Sequence, residues 1–188
     1  MSSRQKQIWN IVENDLPDSI GITPEEYYNT GWEYETGFFI FEINDSLAVR
    51  CYERAASKGM SKAMTALAKL YTQNEDLEKA YYWCLEATLG GDDAEAFYIL
   101  GNMYHKGEFL EQDYQKALRY YSISLDMGFW NAAYYLGLYA ESGYMRPVNM
   151  DEARRYYQIG AKAHEKRCLE RLRDLEIHPD QEGTKDAG

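Results

Sequence analysis

The strongest constraint on this chain is that it repeats itself. Leu100-Gly101-Asn102-Met103-Tyr104-His105-Lys106-Gly107 returns 36 residues later as Leu136-Gly137-Leu138-Tyr139-Ala140-Glu141-Ser142-Gly143. Weaker copies run from Gly31 to Gly37 and from Leu67 to Asn74, where Ala68 and Asn74 replace the two glycines. Each copy leads to a second motif, clearest in Asp113-Tyr114-Gln115-Lys116-Ala117-Leu118-Arg119-Tyr120-Tyr121 and Asp151-Glu152-Ala153-Arg154-Arg155-Tyr156-Tyr157. Its alanine recurs at Ala48, Ala80, Ala117 and Ala153, spaced 32, 37 and 36 residues apart, and Gly59, Gly91 and Gly128 follow the first three after eleven residues. His164 holds the fourth such place. A chain with this periodicity folds as stacked units, none of which buries its apolar face alone.

Both motifs predict helices. In Ala94 to Tyr104 the residues Ala96, Leu100, Met103 and Tyr104 share one face, and glycine closes the segment. Thr23-Pro24-Glu25-Glu26, Asp92-Asp93-Ala94-Glu95 and Asn149-Met150-Asp151-Glu152 each place a capping side chain three residues before a glutamate. Every repeat therefore reads as two antiparallel helices, with Gly101, Gly137 and the repeated alanines allowing close approach and tyrosine pairs filling the spaces between hairpins.

These motifs resemble the Sel-one-like repeat (SLR) family, tetratricopeptide-like α-solenoids with a Leu-Gly-x-x-Tyr-x-x-Gly helix followed by an Asp-x-x-Lys-Ala-x-x-Tyr-Tyr helix. The likeness covers about residues 26 to 164, and the 36-residue spacing exceeds the 34 of ordinary tetratricopeptide repeats. It implies an all-α, right-handed solenoid of about four repeats with capping helices. The expected division is an N-terminal capping segment over 1–22, repeats over 23–164, a C-terminal capping helix over 165–177 and a disordered tail over 178–188. Two departures stand out. Tyr139 sits one place earlier than Tyr104 in its motif, and only 12 positions separate Ala68 from Ala80, against 16 from Gly101 to Ala117.

The flanks carry their own pattern. Ile8, Trp9, Ile11 and Val12 predict a short helix before Pro17, and Cys168, Leu169, Leu172 and Leu175 are expected on one face of a terminal helix surrounded by Lys166, Arg167, Arg171 and Arg173.

Composition narrows the function. The 188 residues hold 31 acidic and 20 basic groups, a net charge of −11, which argues against nucleic acid or anionic membranes as partners. The excess is uneven: residues 1 to 110 carry 18 acidic and 9 basic groups, residues 111 to 188 carry 13 and 11. No apolar run approaches the roughly 18 residues needed to cross a bilayer, and the N-terminus lacks the features of a signal peptide. Cys51, Cys84 and Cys168 form no C-x-x-C pair and read as small buried hydrophobes of a reducing compartment, so the expected location is cytoplasmic.

Motifs for phosphate loops, nucleophile elbows and zinc helices are absent, and His105, His164 and His178 belong to no metal-ligand pattern, so neither metal nor cofactor is expected. His105 and His164 read as surface residues near helix ends. What remains is recognition. The resemblance implies an adaptor or scaffold that binds a protein or peptide on a concave face lined by the first helix of each repeat. The positions two before and one after the motif glycine vary between copies and lie three apart on one helix face: Asn29 and Trp32, Ala66 and Lys69, Ile99 and Asn102, Tyr135 and Leu138. Ile99 and Leu138 suit core packing, whereas Trp32 and Tyr135 suit interface anchors. The loop Gly37-Phe38-Phe39-Ile40-Phe41-Glu42-Ile43-Asn44 is apolar where a connection should be polar; Phe38, Phe39 and Phe41 are either a further contact or, as favoured here, an internal plug. The acidity makes a basic partner the natural fit. A second reading is a bacterial immunity protein that neutralises a basic toxin. The third is a hydrolase using Glu33, Glu35 and Glu42, disfavoured because nothing in the sequence orients a nucleophile.

Overall fold

In a computed structural model, residues 2–16, 21–38 and 42–177 are described. Among them the secondary structure is wholly helical, in two compact units, Met1–Asp93 and Ala94–Gly188. The first holds α1 (Ser3–Glu13), α2 (Pro24–Thr36), α3 (Asp45–Ser57), α4 (Ser61–Gln73) and α5 (Leu77–Leu89). The second holds α6 (Ala94–Lys106), α7 (Tyr114–Asp126), α8 (Ala132–Ser142), α9 (Met150–Lys162) and α10 (Lys166–Ile177). The repeated motifs account for four helix pairs, α2/α3, α4/α5, α6/α7 and α8/α9, the architecture of the solenoid-like all-α class.

One connection recurs in all four pairs. The second helix begins at Asn44, Asp76, Asp113 or Asn149, whose side chain accepts a hydrogen bond from the backbone N–H three residues on. The same residue donates its own N–H to a carbonyl near the end of the first helix, that of Tyr34, Tyr71, Tyr104 or Ala140, at 2.8–3.0 Å. A single Asp or Asn thus satisfies an orphan donor and closes the hairpin. The shortened second copy keeps this device: Asn74 to Asp76 suffices where Gly107 to Asp113 serves the third, and Glu75 takes the left-handed turn at φ 61°.

Small residues set how closely the helices pack. Ala48, Ala80, Ala117 and Ala153 are fully buried. Gly31, Gly101 and Gly137 face Tyr52, Tyr121 and Tyr157; a methyl group at Gly31 or Gly101 would sit 2.8 or 2.6 Å from the ring, and one at Gly137 closer still. The buried tyrosine hydroxyls donate to Glu35 (2.6 Å), Asn102 (2.9 Å) and Glu141 (2.7 Å). In the second copy both members change together, with Ala68 at the glycine position and the small Cys84 at the tyrosine position, each fully buried. The volume added on one helix is removed from the other.

The eleven-residue interval ends in a left-handed turn each time. Gly59, Gly91 and Gly128 have φ of 87°, 68° and 90°, and His164 occupies the same conformation at 61° despite its side chain.

Along the first unit, α1 buries Ile8, Ile11 and Val12. Arg4 forms a two-pronged ion pair with Glu26 and holds that half-buried carboxyl down at about 2, helped by the Thr23 N–H of a complete capping box. In the second unit α10 buries Cys168 and Leu175. Leu169, expected on the same face, is 43 % exposed: positions 168, 172 and 175 define the packed stripe, and 169 is rotated off it. His105 also departs from expectation. It lies in the last turn of α6 but is half-buried among Tyr114, Tyr135 and Tyr139, with Nδ1 2.9 Å from the Tyr139 hydroxyl. All three cysteines are free and buried.

Candidate protein-interaction surfaces

In the first unit the candidate surface is built on α2. Tyr27, Thr30, Gly31 and Tyr34 recur at helical spacing and face the core, which turns Glu25, Asn29, Trp32 and Thr36 outward. Trp32 is 42 % exposed. The helix stops at Gly37, whose φ of 66° turns the chain back so that the Phe38 ring lies 5.1 Å from that of Trp32, tilted by 51°. On the flank of Trp32, three residues along the helix, stands Glu35, whose carboxylate accepts the Tyr52 hydroxyl and is thereby anchored. Glu33 accepts the amide of Gln5 with both oxygens, at 2.8 and 2.9 Å. Phe38 and Ile43 are 47 % and 69 % exposed, so the described flanks of the apolar loop are not internal packing. Phe39 and Phe41, and with them the plug itself, lie outside the described residues. Lys69, on α4, is exposed.

In the second unit the sequence-predicted residues meet a different environment. Tyr135 stacks in parallel on Tyr121, with centroids 4.6 Å apart and planes within 3°, and further touches the Tyr98 and His105 rings. The Arg167 guanidinium lies 4.5 and 5.2 Å from the centroids of Tyr134 and Tyr135. Arg167 is itself held by Glu165 at 2.7 Å and reaches the Tyr98 hydroxyl at 3.4 Å. Asn102 spends its side-chain oxygen on Tyr121. Ile99 and Leu138 are half-buried. Burial drives the Tyr121 and Tyr135 hydroxyls above their ordinary range, so both stay neutral. The positions that α2 offers to the outside are here drawn into an aromatic network joining α6, α7, α8 and α10. Arg167 and Tyr98, which complete it, were not singled out from sequence; the only signal was a basic residue beside the last apolar stripe.

Burial pushes the Cys51 and Cys168 thiols up to about 12, far from a reactive thiolate. Among the described residues no cluster of His, Cys, Asp and Glu is placed to hold a metal, and no helix is long and apolar enough to cross a membrane.

Known proteins share both the motifs and the architecture. The chitin synthase regulator SKT5 of Saccharomyces cerevisiae is 28% identical over 163 residues, covering 81% of this chain but only 23% of that protein. A Sel1 repeat protein from Oxalobacter formigenes superposes with a TM-score of 0.77 at 20% identity, covering 92% of this chain and 74% of the other. The Escherichia coli protective antigen c5321, which displays an SLR fold, superposes at 0.76 with 19% identity, covering 93% and 36%. The immunity protein Pa5087 of Pseudomonas aeruginosa aligns at a TM-score of 0.46 with 19% identity over 89% and 84%, too loosely to support an argument about function. The Sel1 repeat matches residues 27–60, 61–92, 94–129 and 130–164, so the four helix pairs are four copies of one known unit, and the chain belongs to the Sel1 repeat family.

Proposed function

We propose that this chain is a non-catalytic module that binds a protein or peptide through exposed side chains on the first helices of its repeats, with Trp32 as the principal anchor. Sel1 repeats typically mediate protein–protein interaction. The observation that carries the reading is the large, half-exposed Trp32 ring on the outward face of α2, paired with an exposed Phe38; an aromatic surface of this kind supplies contact area at low entropic cost. Asn29 and Lys69 belong to the same outward faces of the first unit, while Ile99, Asn102, Tyr135 and Leu138 contribute only their accessible edges. A cytoplasmic setting agrees with three buried free thiols. Glu33 and Glu35 act in this reading as anchored surface carboxylates, not as an acid–base pair. Affinity capture from the native host tests it: Trp32→Ala should lose the partner that wild type retains, while Tyr135→Ala should matter less. Identical captured proteins in identical amounts from wild type and Trp32→Ala would count against the proposed face.

The acidity of the first unit, 16 acidic against 8 basic residues up to Asp93, favours a second reading, an immunity protein for a basic toxin. Its binding would weaken steeply with salt. A native gene neighbourhood without a toxin would remove its motive.

A further inference from the structure

Five of the chain's tyrosine rings carry at least one of its own cations among the described residues. Arg54 and Lys58 stand 5.8 and 5.9 Å from the Tyr27 centroid, Lys79 is 5.0 Å from Tyr71, Lys116 is 4.9 Å from Tyr104, and Arg167 covers Tyr134 and Tyr135. Trp32 differs. Tryptophan is the ring that attracts a cation most strongly, yet among the described residues no lysine or arginine stands over it. From Gln7 to Val49, 43 residues contain nine acidic side chains and no lysine, arginine or histidine. The ring is thus half-exposed in the most one-signed stretch of the protein. Its neighbour Glu35 is fixed by the 2.6 Å hydrogen bond from Tyr52, so that carboxylate is already ordered before anything binds.

We propose that Trp32, backed by Phe38 and Glu35, is the subsite for a cationic side chain, an arginine or lysine, presented by the partner's docking segment. The inference rests on the binding function proposed above and supplies the chemistry of its central contact. The indole face provides the cation–π attraction, the anchored carboxylate the charge pair, and the Phe38 ring a wall for the alkyl stem of the incoming residue. The surrounding acids raise the local concentration of a basic segment without defining where it sits.

The test uses the full chain and the peptide Ac-Gly-Arg-Gly-Arg-Gly-Arg-Gly-NH2, with a citrulline-for-arginine version as the neutral twin of the same shape. The reporter is the Trp32 indole resonance, identified by its loss in Trp32→Phe. The arginine peptide should shift that resonance saturably and the citrulline peptide should not. Trp32→Ala lacks that reporter and is compared with wild type by titration calorimetry, where it should weaken the arginine peptide about fivefold, the upper end for an exposed cation–π contact. Glu35→Gln, which keeps an oxygen for the Tyr52 hydroxyl, should weaken it about two- to fivefold. Equal binding of the citrulline peptide would overturn the inference by making the site merely apolar. Undiminished arginine-peptide binding by Trp32→Ala would overturn it by making the attraction a diffuse property of the acidic surface. If host capture depends on Trp32 while the arginine peptide fails to bind, this inference falls and the binding function stands. If the peptide binds at Trp32 but the host yields no partner, the reverse holds.

Discussion

The two units use the same motif to opposite ends. In the first, the residue after the motif glycine is Trp32, half-exposed beside Phe38 in an acidic stretch of the chain. In the second, Tyr135, two before its glycine, is stacked on Tyr121, capped by Arg167 and flanked by Tyr98 and His105. Both are large aromatics on first helices of repeats. The difference comes from what the neighbouring elements bring. In the second unit α6 offers Tyr98 and His105, α7 offers Tyr121 and α10 offers a guanidinium; in the first, among the described residues, the Phe38 ring is what packs on Trp32. The same face of a first helix is therefore a surface in one place and an interior wall in another, and residue type alone does not separate them.

The comparison breaks most directly at Tyr121. If the second unit's network is structural, Tyr121→Ala removes a fully buried ring and should cost about 3–5 kcal/mol, whereas Trp32→Ala should cost about 1 kcal/mol or less. Chemical denaturation of both variants measures this, and comparable costs would erase the distinction between the two regions.

Next in size is the packing of glycine against tyrosine. Gly101→Ala should destabilise by about 1–3 kcal/mol through overpacking against Tyr121. The second repeat, with Ala68 and Cys84, suggests that the penalty depends on the partner. A double-mutant cycle with Gly101→Ala and Tyr121→Cys should show the glycine substitution costing clearly less in the Tyr121→Cys background, and strict additivity would refute the pairing.

A smaller effect separates the units by pH. Burial, reinforced by the nearby Lys106 charge, lowers the affinity of His105 for a proton. The folded chain then binds fewer protons than the unfolded one just below the ordinary histidine value of about 6.5. The contribution is fully present above that pH and is lost as the pH falls through it toward the lowered folded value. Thermal midpoints measured between pH 7.5 and 5.5 should decline, and His105→Gln should flatten the decline. An unchanged profile in His105→Gln would place the titration elsewhere.

The smallest expected effect lies at His164, which holds a left-handed turn that Gly59, Gly91 and Gly128 hold in the other copies. His164→Gly should relieve the backbone cost of a side chain in that region and stabilise by up to about 1 kcal/mol. A loss of stability would mean that the histidine makes a compensating contact.

What could be read in advance followed from local physics. The four copies, the helix pairs, Thr23 and Asn149 as helix caps, and buried alanines at 48, 80, 117 and 153 are all consequences of spacing, because a helix repeats its face every 3.6 residues and its first turn needs a hydrogen-bond acceptor. The burial of the three cysteines followed from their sparse, unpaired placement. Tertiary structure decided the rest. It set the pairing of Ala68 with Cys84 within the second repeat, the capture of His105 by three tyrosines and the rotation of Leu169 out of its stripe. It also separated Trp32, which stays on the surface, from Tyr135, which does not. These outcomes depend on which side chains arrive from residues 16 to 34 positions away, as Tyr157 reaches Glu141 and His105 meets Tyr139. Periodicity along the chain carries no record of such arrivals: it specifies which face of a helix turns inward, and packing decides what, if anything, covers the other.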